Sequence, residues 1–557
     1  MLRWQLLLAI AGAGLVLSLL SFQYQAGEGC STRVPAAGGT LVEGVVGLPA
    51  QLNPLLAAAN PVDLQLSNLI FEGLTGYDAN GLLQPALARS WRVSEDMRRF
   101  SFTLRQDALW HDGEQVTAED VLFTYRLLQE EEFPAPEALR TLWQSVTITQ
   151  TGRFGVDFGL PQPYGPFLDA VTLGILPAHV FGDATPAEVA AHRFNRQPIG
   201  AGPFLVVPGS DWGDSGVLRL APNPNSWPEG TRLAELEYRF FPDYGALAAA
   251  FERGEIQAIF SAPSAELPAL ALLPGVRLFS SGAPELTQLY FNLSESGSPL
   301  ARGLDGRRAI AAGLDREALV DQALNGQGLL LEGPYLPDSW AFAPGLAAAY
   351  GYDPAAARAL LDAAGWTLTD GGRVRQNGDQ RAELRLLANN SPAHQALAAV
   401  VSDQLAEIGV VVSVEAVEWD AYRAALAGRE FDLALVDVAG ARDPDLYDFW
   451  SQEAIVRGHN YAAWNNRAAS EALEAGRKLV AVEARRPYYH TFQRLFGEQL
   501  PALTLYQHVQ TYALSEEVEG AEVGPVREAR NRYAGLAGWF IGYRDVPAAC
   551  APAAAGE

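Results

Sequence analysis

From Leu384 to Val436 the sequence alternates short apolar runs with a helical stretch. Leu384 to Leu387 reads as a strand, a helix runs from His394, Val410 to Val414 is a second strand and Phe431 to Val436 a third. Strands joined through a helix run parallel, because the crossover carries the chain back to the edge from which it started. The alternation predicts an α/β body with a largely parallel sheet. The chain has 557 residues and is 49% hydrophobic, enough to bury more than one core, and its length suits three lobes.

Other segments read as punctuated elements. Thr40 to Val46 is a strand, Leu52 to Leu55 a loop, and Leu64 to Leu74 a helix ended by Gly73 and Gly76. Between Pro85 and Tyr125 lies a regular run. Phe100, Phe102 and Leu104 alternate with polar residues as a half-buried strand does. Trp110-His111-Asp112-Gly113 follows as a tight turn. Thr117 then stands as an N-cap, with Asp120 in the capping-box place and Val121, Leu122 and Tyr125 on one helix face. Hairpin strands are expected at Ser145 to Thr149 and Phe154 to Phe158. Pro198-Ile199-Gly200-Ala201-Gly202-Pro203-Phe204 puts two glycines between two prolines, a hinge or tight crossover. Gly306 to Gly326 reads as two helices around an Asp315 cap. Asp353 and Pro354 open a helix that Gly365 closes.

Charge excludes some functions. The net charge is −25, and the pI is near 4.7. Sequence-independent nucleic-acid binding and docking on anionic lipid both need a basic face. At the N-terminus, Arg3 precedes an uncharged apolar stretch from Leu6 to Phe22, which fits an export signal or a thin uncleaved anchor. The two cysteines, Cys30 and Cys550, stand near opposite ends. Cys30 follows Gly29 and is a candidate for lipidation; the alternative is a Cys30–Cys550 disulfide, as exported chains often form. No metal-binding cysteine pair and no HExxH occurs, and no nucleophile motif accompanies His111-Asp112. A hydrogen-bond cluster that locks the hairpin is the reading for Trp110-His111-Asp112.

The Pro85–Tyr125 run closely resembles the hallmark segment of family 5 of the bacterial extracellular solute-binding proteins, the oligopeptide and dipeptide receptors of ABC importers. Pro198–Phe204 is similar to the run that closes the inserted lobe there, with Ala201 where Thr is usual. Leu289-Tyr290-Phe291-Asn292 is similar to the strand that crosses from the first lobe to the last. The resemblance covers about Thr40 to Trp539. It implies a periplasmic-binding-protein-like fold (type II, cluster C): two hinged α/β lobes with an additional α+β lobe. The implied division is 1–30 signal or anchor, 38–75 lobe I, 76–197 inserted lobe II, 198–283 lobe I again, 284–505 lobe III, 506–545 lobe I, and 546–557 a flexible tail. Both termini lie in one lobe in this family, so a terminal Cys30–Cys550 clasp is conceivable.

Open α/β sheets bind ligands beyond the carboxyl ends of their strands, and ligand sites favour domain interfaces. With the resemblance, this selects Val46, Leu48, Trp419, Tyr422, Asp437, Gly440, Arg442, Asn460 and Tyr461 as ligand-binding candidates. Gly200, Gly202, Phe291 and Asn292 are the hinge candidates. Trp419 has core packing as its alternative role. Asp443-Pro444-Asp445 reads as a helix start. Peptide binders of the family carry an Asp where Gly440 stands, which pairs with the peptide's α-ammonium, and a Trp where Asp437 stands. Either Asp437 takes over the ammonium or the ligand lacks a free-amine requirement. The second is the expectation, because an unpaired buried charge is costly. The implied protein is a monomeric, exported solute-binding protein that needs no cofactor, binds no metal and is no enzyme. It would be associated with the membrane and deliver a peptide or other solute to an ABC permease. The competing classes are an exported hydrolase with a cleft nucleophile, and a permease-independent sensory or chaperone-like binder.

Overall fold

The computed structural model describes residues 16, 31–78, 81–210, 212–226, 231–347, 350–368, 372–440, 442–526 and 529–547. The export segment, Cys30 and Cys550 lie outside the described residues. Among those described, no helix is long and apolar enough to cross a membrane.

One eleven-stranded sheet runs through most of the molecule. At one end, Glu383–Asn389 pairs in parallel with Val411–Val417 and Leu433–Ala439. The helix Pro392–Glu407 joins the first two of these strands. At the other end, Thr40–Val46 pairs in parallel with Glu235–Phe241 and Ala258–Ile259. Two long antiparallel strands, Val276–Phe291 and Ala502–Ser515, pass through the middle and belong to both ends. The sheet is therefore mixed: parallel at the Glu383–Asn389 end, and at the other end parallel around Thr40–Val46 but closed by the antiparallel strands Val217–Pro222 and Phe204–Val206. Apolar clusters cover it: one lies around Leu289, Leu386, Leu397 and Leu435, another around Tyr290, Trp450, Tyr489 and Phe492. A separate four-stranded antiparallel sheet, in the order Ala88–Val93, Arg99–Leu104, Gly155–Gly159, Thr147–Gly152, carries the additional lobe. Its core stacks Tyr125 on Trp143 with ring centroids 4.0 Å apart.

Local signals placed most elements. Thr117 and Asp120 form the capping box, and Val121, Leu122 and Tyr125 are buried. Asp315 accepts from the amide of Ala318 at 3.0 Å, and Asp353 from those of Ala355 and Ala356. The first helix is shifted from its expected place, to Pro61–Ile70. Asn60 caps it by accepting from the Val62 amide at 2.9 Å, with Pro61 in the first turn.

The crossover at Gly200–Pro203 is pinned. A Cβ on Gly200 would stand 1.9 Å from the Ile70 carbonyl oxygen, and one on Gly202 would stand 2.7 Å from it. Only glycine permits that approach. The amide of Gly200 donates to His111 Nδ1 at 3.1 Å, and His111 Nε2 donates to the Gly202 carbonyl at 3.0 Å. Both ring nitrogens thus serve the crossover, which fixes the neutral tautomer. Burial, with partial compensation from the Gly202 carbonyl and Asp112, lowers the His111 pKa. The second crossover differs. Strand Val276–Phe291 loses register with Ala502–Ser515 between Gly282 and Leu286. Phe291 and Asn292, expected at this hinge, instead lie at the far end of the strand. Phe291 is core, and Asn292 is fully buried, donating to the carbonyls of Arg429 and Phe431. A buried strand end packed on both faces is a poor place for a bend, and the irregularity in this strand lies instead at Gly282-Ala283-Pro284.

A closed ionic network ties the first half together. Glu43 is 1% exposed and Arg532 is fully buried; Arg532 donates to both Glu43 oxygens, the shorter bond being 2.7 Å. The hydroxyls of Tyr512 and Tyr533 donate to the same carboxylate, and Tyr238 meets Tyr533 at 2.7 Å. Four segments far apart in sequence converge there. Ser31–Pro35 and Tyr543–Pro547 form a two-stranded ladder, with Ser31 opposite Pro547.

Candidate functional site

A cavity of about 210 Å³ lies where the lobes meet. Tyr77 and Leu82 form one wall, Leu336, Trp340, Gly440 and Arg442 the other, and Gly282, Pro284 and Gln507 from the crossing strands its back. Asp78 and Asp338 add carboxylates. The lobes touch beside it. The Arg442 guanidinium lies 4.5 Å from the Tyr77 ring centre, and the Tyr77 hydroxyl donates to Asp169. The amide of Gly165 donates to the Arg477 carbonyl at 2.6 Å, while the Arg477 guanidinium sits 5.2 Å from the Tyr164 ring. These cation–π and backbone contacts join segments that share no sheet.

Behind this wall, Asp443-Pro444-Asp445 is an ion-paired turn that caps the next helix through Asp445, although Pro444 is not in the helix's first turn, since the helix begins at Tyr447. Arg485, almost fully buried, donates to both Asp443 oxygens and to the Tyr489 hydroxyl, and lies 4.9 Å from the Trp340 ring centre. Asp445 pairs with Arg477 at 2.9 Å and accepts from the Tyr447 amide. Asp443 and Asp445 are thus held by arginines 42 and 32 residues away, and the next helix begins only at Tyr447. Forked carboxylate–guanidinium bonds of this kind give geometric precision.

The candidate residues separate into groups. Gly440 and Arg442 line the cavity. Val46, Leu48 and Trp419 are exposed, with Trp419 stacked on Tyr422 at 5.5 Å. Tyr422 is 3% exposed, and its hydroxyl donates to the Leu435 carbonyl. Asn460 is fully buried; it donates to the carbonyls of Ser451 and Trp464 and accepts the Trp464 amide. Tyr422 and Asn460 therefore do packing and loop-closing work and do not line the cavity. Tyr461 packs at the edge of the same core. The cavity residues that sequence reasoning passed over include Tyr77, Leu336, Trp340 and Gln507. The one local signal was Gly282-Ala283-Pro284, a Gly/Pro break just ahead of a buried strand.

Gly440 is closely packed, and a side chain there would have to push Leu336 aside. A Cβ there would stand 2.6 Å from Leu336 Cδ1 and 3.1 Å from the Pro284 carbonyl oxygen, which accepts the Gly440 amide at 2.6 Å. Asp437 is engaged elsewhere. Thr287 donates to its Oδ1 at 2.6 Å, and His394 Nε2 lies 2.9 Å from its Oδ2. His508 Nε2 lies 3.5 Å from Oδ1, and His508 Nδ1 lies 3.8 Å from Glu285 Oε2. Burial alone would raise the Asp437 pKa, but hydrogen bonds from His394 and His508 outweigh it and hold the carboxyl well below its usual range. Burial tends to lower His508; Asp437 and Glu285 overcome that and raise it.

Comparison with known proteins agrees with this architecture. The family profile described as bacterial extracellular solute-binding proteins, family 5 Middle, matches residues 83–454. The oligopeptide-binding protein AppA of Bacillus subtilis is 26% identical over 504 residues, spanning 89% of this chain and 91% of that protein. Protein XP55 of Streptomyces lividans is 28% identical over 492 residues, 86% of each. Among solved structures, the substrate-binding protein CtaP of Listeria monocytogenes superposes with a TM-score of 0.76 at 22% identity, covering 91% of this chain and 99% of that one. AppA bound to a nonapeptide superposes at 0.69 and 24% identity, covering 91% and 100%.

Proposed function

The chain belongs to the bacterial extracellular solute-binding proteins of family 5, and from that premise we propose that its ligand is a compact solute recognised without an α-ammonium anchor at the Gly440 loop. It is a solute-binding protein of an ABC importer, capturing its ligand between hinged lobes for delivery to a membrane permease. The observation that carries the proposal is the pair of closures at the loop. At 440 a side chain would collide with Leu336, and at 437 the carboxylate already serves Thr287 and His394. An incoming ammonium would find no carboxylate at 440, and the Asp437 carboxylate, which does not line the cavity, is turned toward Thr287 and His394.

Size supports the reading. A cavity of about 210 Å³ is small for a ligand cleft, which favours a compact solute over a long peptide. AppA, by contrast, was solved with a nonapeptide. Arg442, Asp78 and Asp338 supply charges for orientation, and Tyr77 and Trp340 supply apolar faces. The protein acts by capture and closure, with no chemical step. His111, the residue that might suggest a proton relay, spends both nitrogens on the backbone of the crossover. The N-terminal segment would export the chain and hold it at the membrane, with Cys30 either lipidated or bonded to Cys550.

The test is calorimetric binding of free di- and tripeptides, their N-acetylated forms and short saccharides. The reading expects acetylation to leave peptide affinity unchanged, or saccharides to bind instead. Micromolar binding of free peptides that acetylation and Asp437→Asn both abolish would overturn it.

A further inference from the structure

Three neighbouring strands each send one metal-ligating side chain to the same point. Glu285 stands in the register break of Val276–Phe291, Asp437 on Leu433–Ala439, and His508 on Ala502–Ser515. One ligand atom from each lies within 4.8 Å of the others, the one such group of three among the described residues. None of the three lines the cavity between the lobes. Pro284 and Gln507, their chain neighbours, do, so the cluster adjoins the cavity without lining it.

The hydrogen-bond directions are informative. The Thr287 hydroxyl has one proton, and Asp437 Oδ1, an acceptor, takes it at 2.6 Å. The 2.8 Å contact between Thr287 Oγ1 and His508 Nε2 must then run the other way, with the ring nitrogen donating. That leaves Nδ1 unprotonated in the neutral ring, and it faces Glu285 Oε2 at 3.8 Å. This separation is too long for a hydrogen bond. Two ligands on one tetrahedral zinc, each about 2.1 Å from the metal, stand roughly 3.4 Å apart. The Asp437 carboxylate is oriented from behind: His394, 2% exposed, holds Oδ2 at 2.9 Å, as outer-shell partners hold ligating carboxylates. The cluster is partly open, with the Glu285 side chain 44% exposed, so an ion could enter and keep a position for water or a chelating solute.

We propose that Glu285, Asp437 and His508 bind a divalent transition-metal ion, with one ring nitrogen of His508, one oxygen of Asp437 and one of Glu285 as its protein ligands. Mixed nitrogen and oxygen donors with an open position suit zinc, cobalt or nickel rather than calcium. His394 and Thr287 are positioning residues. The site bears on the crossing strands at their break in register, so an occupied site would tie together the three strands that meet there.

The experiment uses full-length, tag-free protein stripped with a chelator and then titrated with cobalt(II), zinc(II) and calcium(II). Binding is read by calorimetry, by cobalt absorption in the visible range and by the shift in melting temperature, with no organic solute present. One tight site is expected for cobalt and zinc, with calcium at least tenfold weaker. His508→Gln and Glu285→Gln should each weaken cobalt binding at least tenfold while leaving the melting temperature of the metal-free protein within a few degrees. His394→Gln should weaken it less and alter the cobalt spectrum. Stoichiometric binding unchanged in His508→Gln and Glu285→Gln, or no cobalt or zinc binding at millimolar metal, would overturn the site. Neither result touches the solute-binding reading, whose test contains no metal.

Discussion

Two polar networks flank the crossing strands, and they are built differently. Around Glu43, every group is sealed: Arg532 forks onto the carboxylate and two tyrosine hydroxyls complete it. Around Asp437, two imidazoles, a threonine and a second carboxylate gather, yet Glu285 is partly open to solvent and His508 Nδ1 meets its partner at 3.8 Å. The first network has used up its donors and acceptors; the second keeps some in reserve. A buried ionic group whose valences are filled holds a fold together. One with a valence left over, open to solvent, can receive something.

The comparison breaks first if the Glu43 network is not structural. Glu43→Gln or Arg532→Met alone leaves an uncompensated buried charge and should cost about 3–5 kcal/mol, seen as a lower denaturant midpoint. The double replacement should cost less than the two single losses together. Losses below about 1 kcal/mol for both single variants would show that the network is not holding its four segments together.

His111 offers the next test. His111→Ala removes the partner of the Gly200 amide and of the Gly202 carbonyl and should cost about 1–3 kcal/mol, with solute affinity retained. The pH profile has a definite sign. Burial lowers the His111 pKa in the fold, so its contribution is complete above the unfolded value near 6.5 and is lost as pH falls through the folded value. Melting curves from pH 8 to pH 5 should show the wild type losing more stability on acidification than His111→Ala does.

A reserve of recognition at the Gly440 loop can be rebuilt. Gly440→Asp combined with Leu336→Ala supplies the carboxylate and the space for it. Free dipeptides should then bind about tenfold more tightly than their acetylated forms, as a new charge-assisted pair requires. Gly440→Asp alone should show a smaller preference, since its Cβ meets Leu336 at 2.6 Å and that side chain must first give way.

The smallest effect sharpens the second network. Asp437 and Glu285 raise the His508 pKa against the effect of burial. Its stabilisation is therefore fully present below the unfolded value near 6.5 and is lost as pH rises through the folded value. In metal-free protein the wild type should exceed His508→Gln in melting temperature most at pH 6 and least at pH 9. A constant difference would place His508 outside the network.

The fold was more legible than the site because its signals are local. Asp315, Asp353 and the Thr117–Asp120 box each mark a helix within three or four residues, and the Leu384–Val436 alternation announces parallel strands. The cavity is assembled from pieces as distant as Tyr77, Leu336 and Gln507, and no spacing rule connects them. Asp443-Pro444-Asp445 shows the limit closely. Acid-Pro-acid is a sound helix-start pattern, and Asp445 does cap the next helix, but Arg485 and Arg477 reach the turn through tertiary packing and pair with its carboxylates. Tyr422 and Asn460 likewise looked available because a sequence shows side-chain chemistry before it shows burial.

The ladder between Ser31–Pro35 and Tyr543–Pro547 gives the protein a mechanical property. Its first and last described strands leave the body side by side, so a pull transmitted through residues before Ser31 is resisted by Tyr543–Pro547 and by the sheet behind it. The load path bypasses both crossovers and the cavity. Were the chain tethered through its N-terminal side, as proposed above, its lobes could open and close without working against that tether.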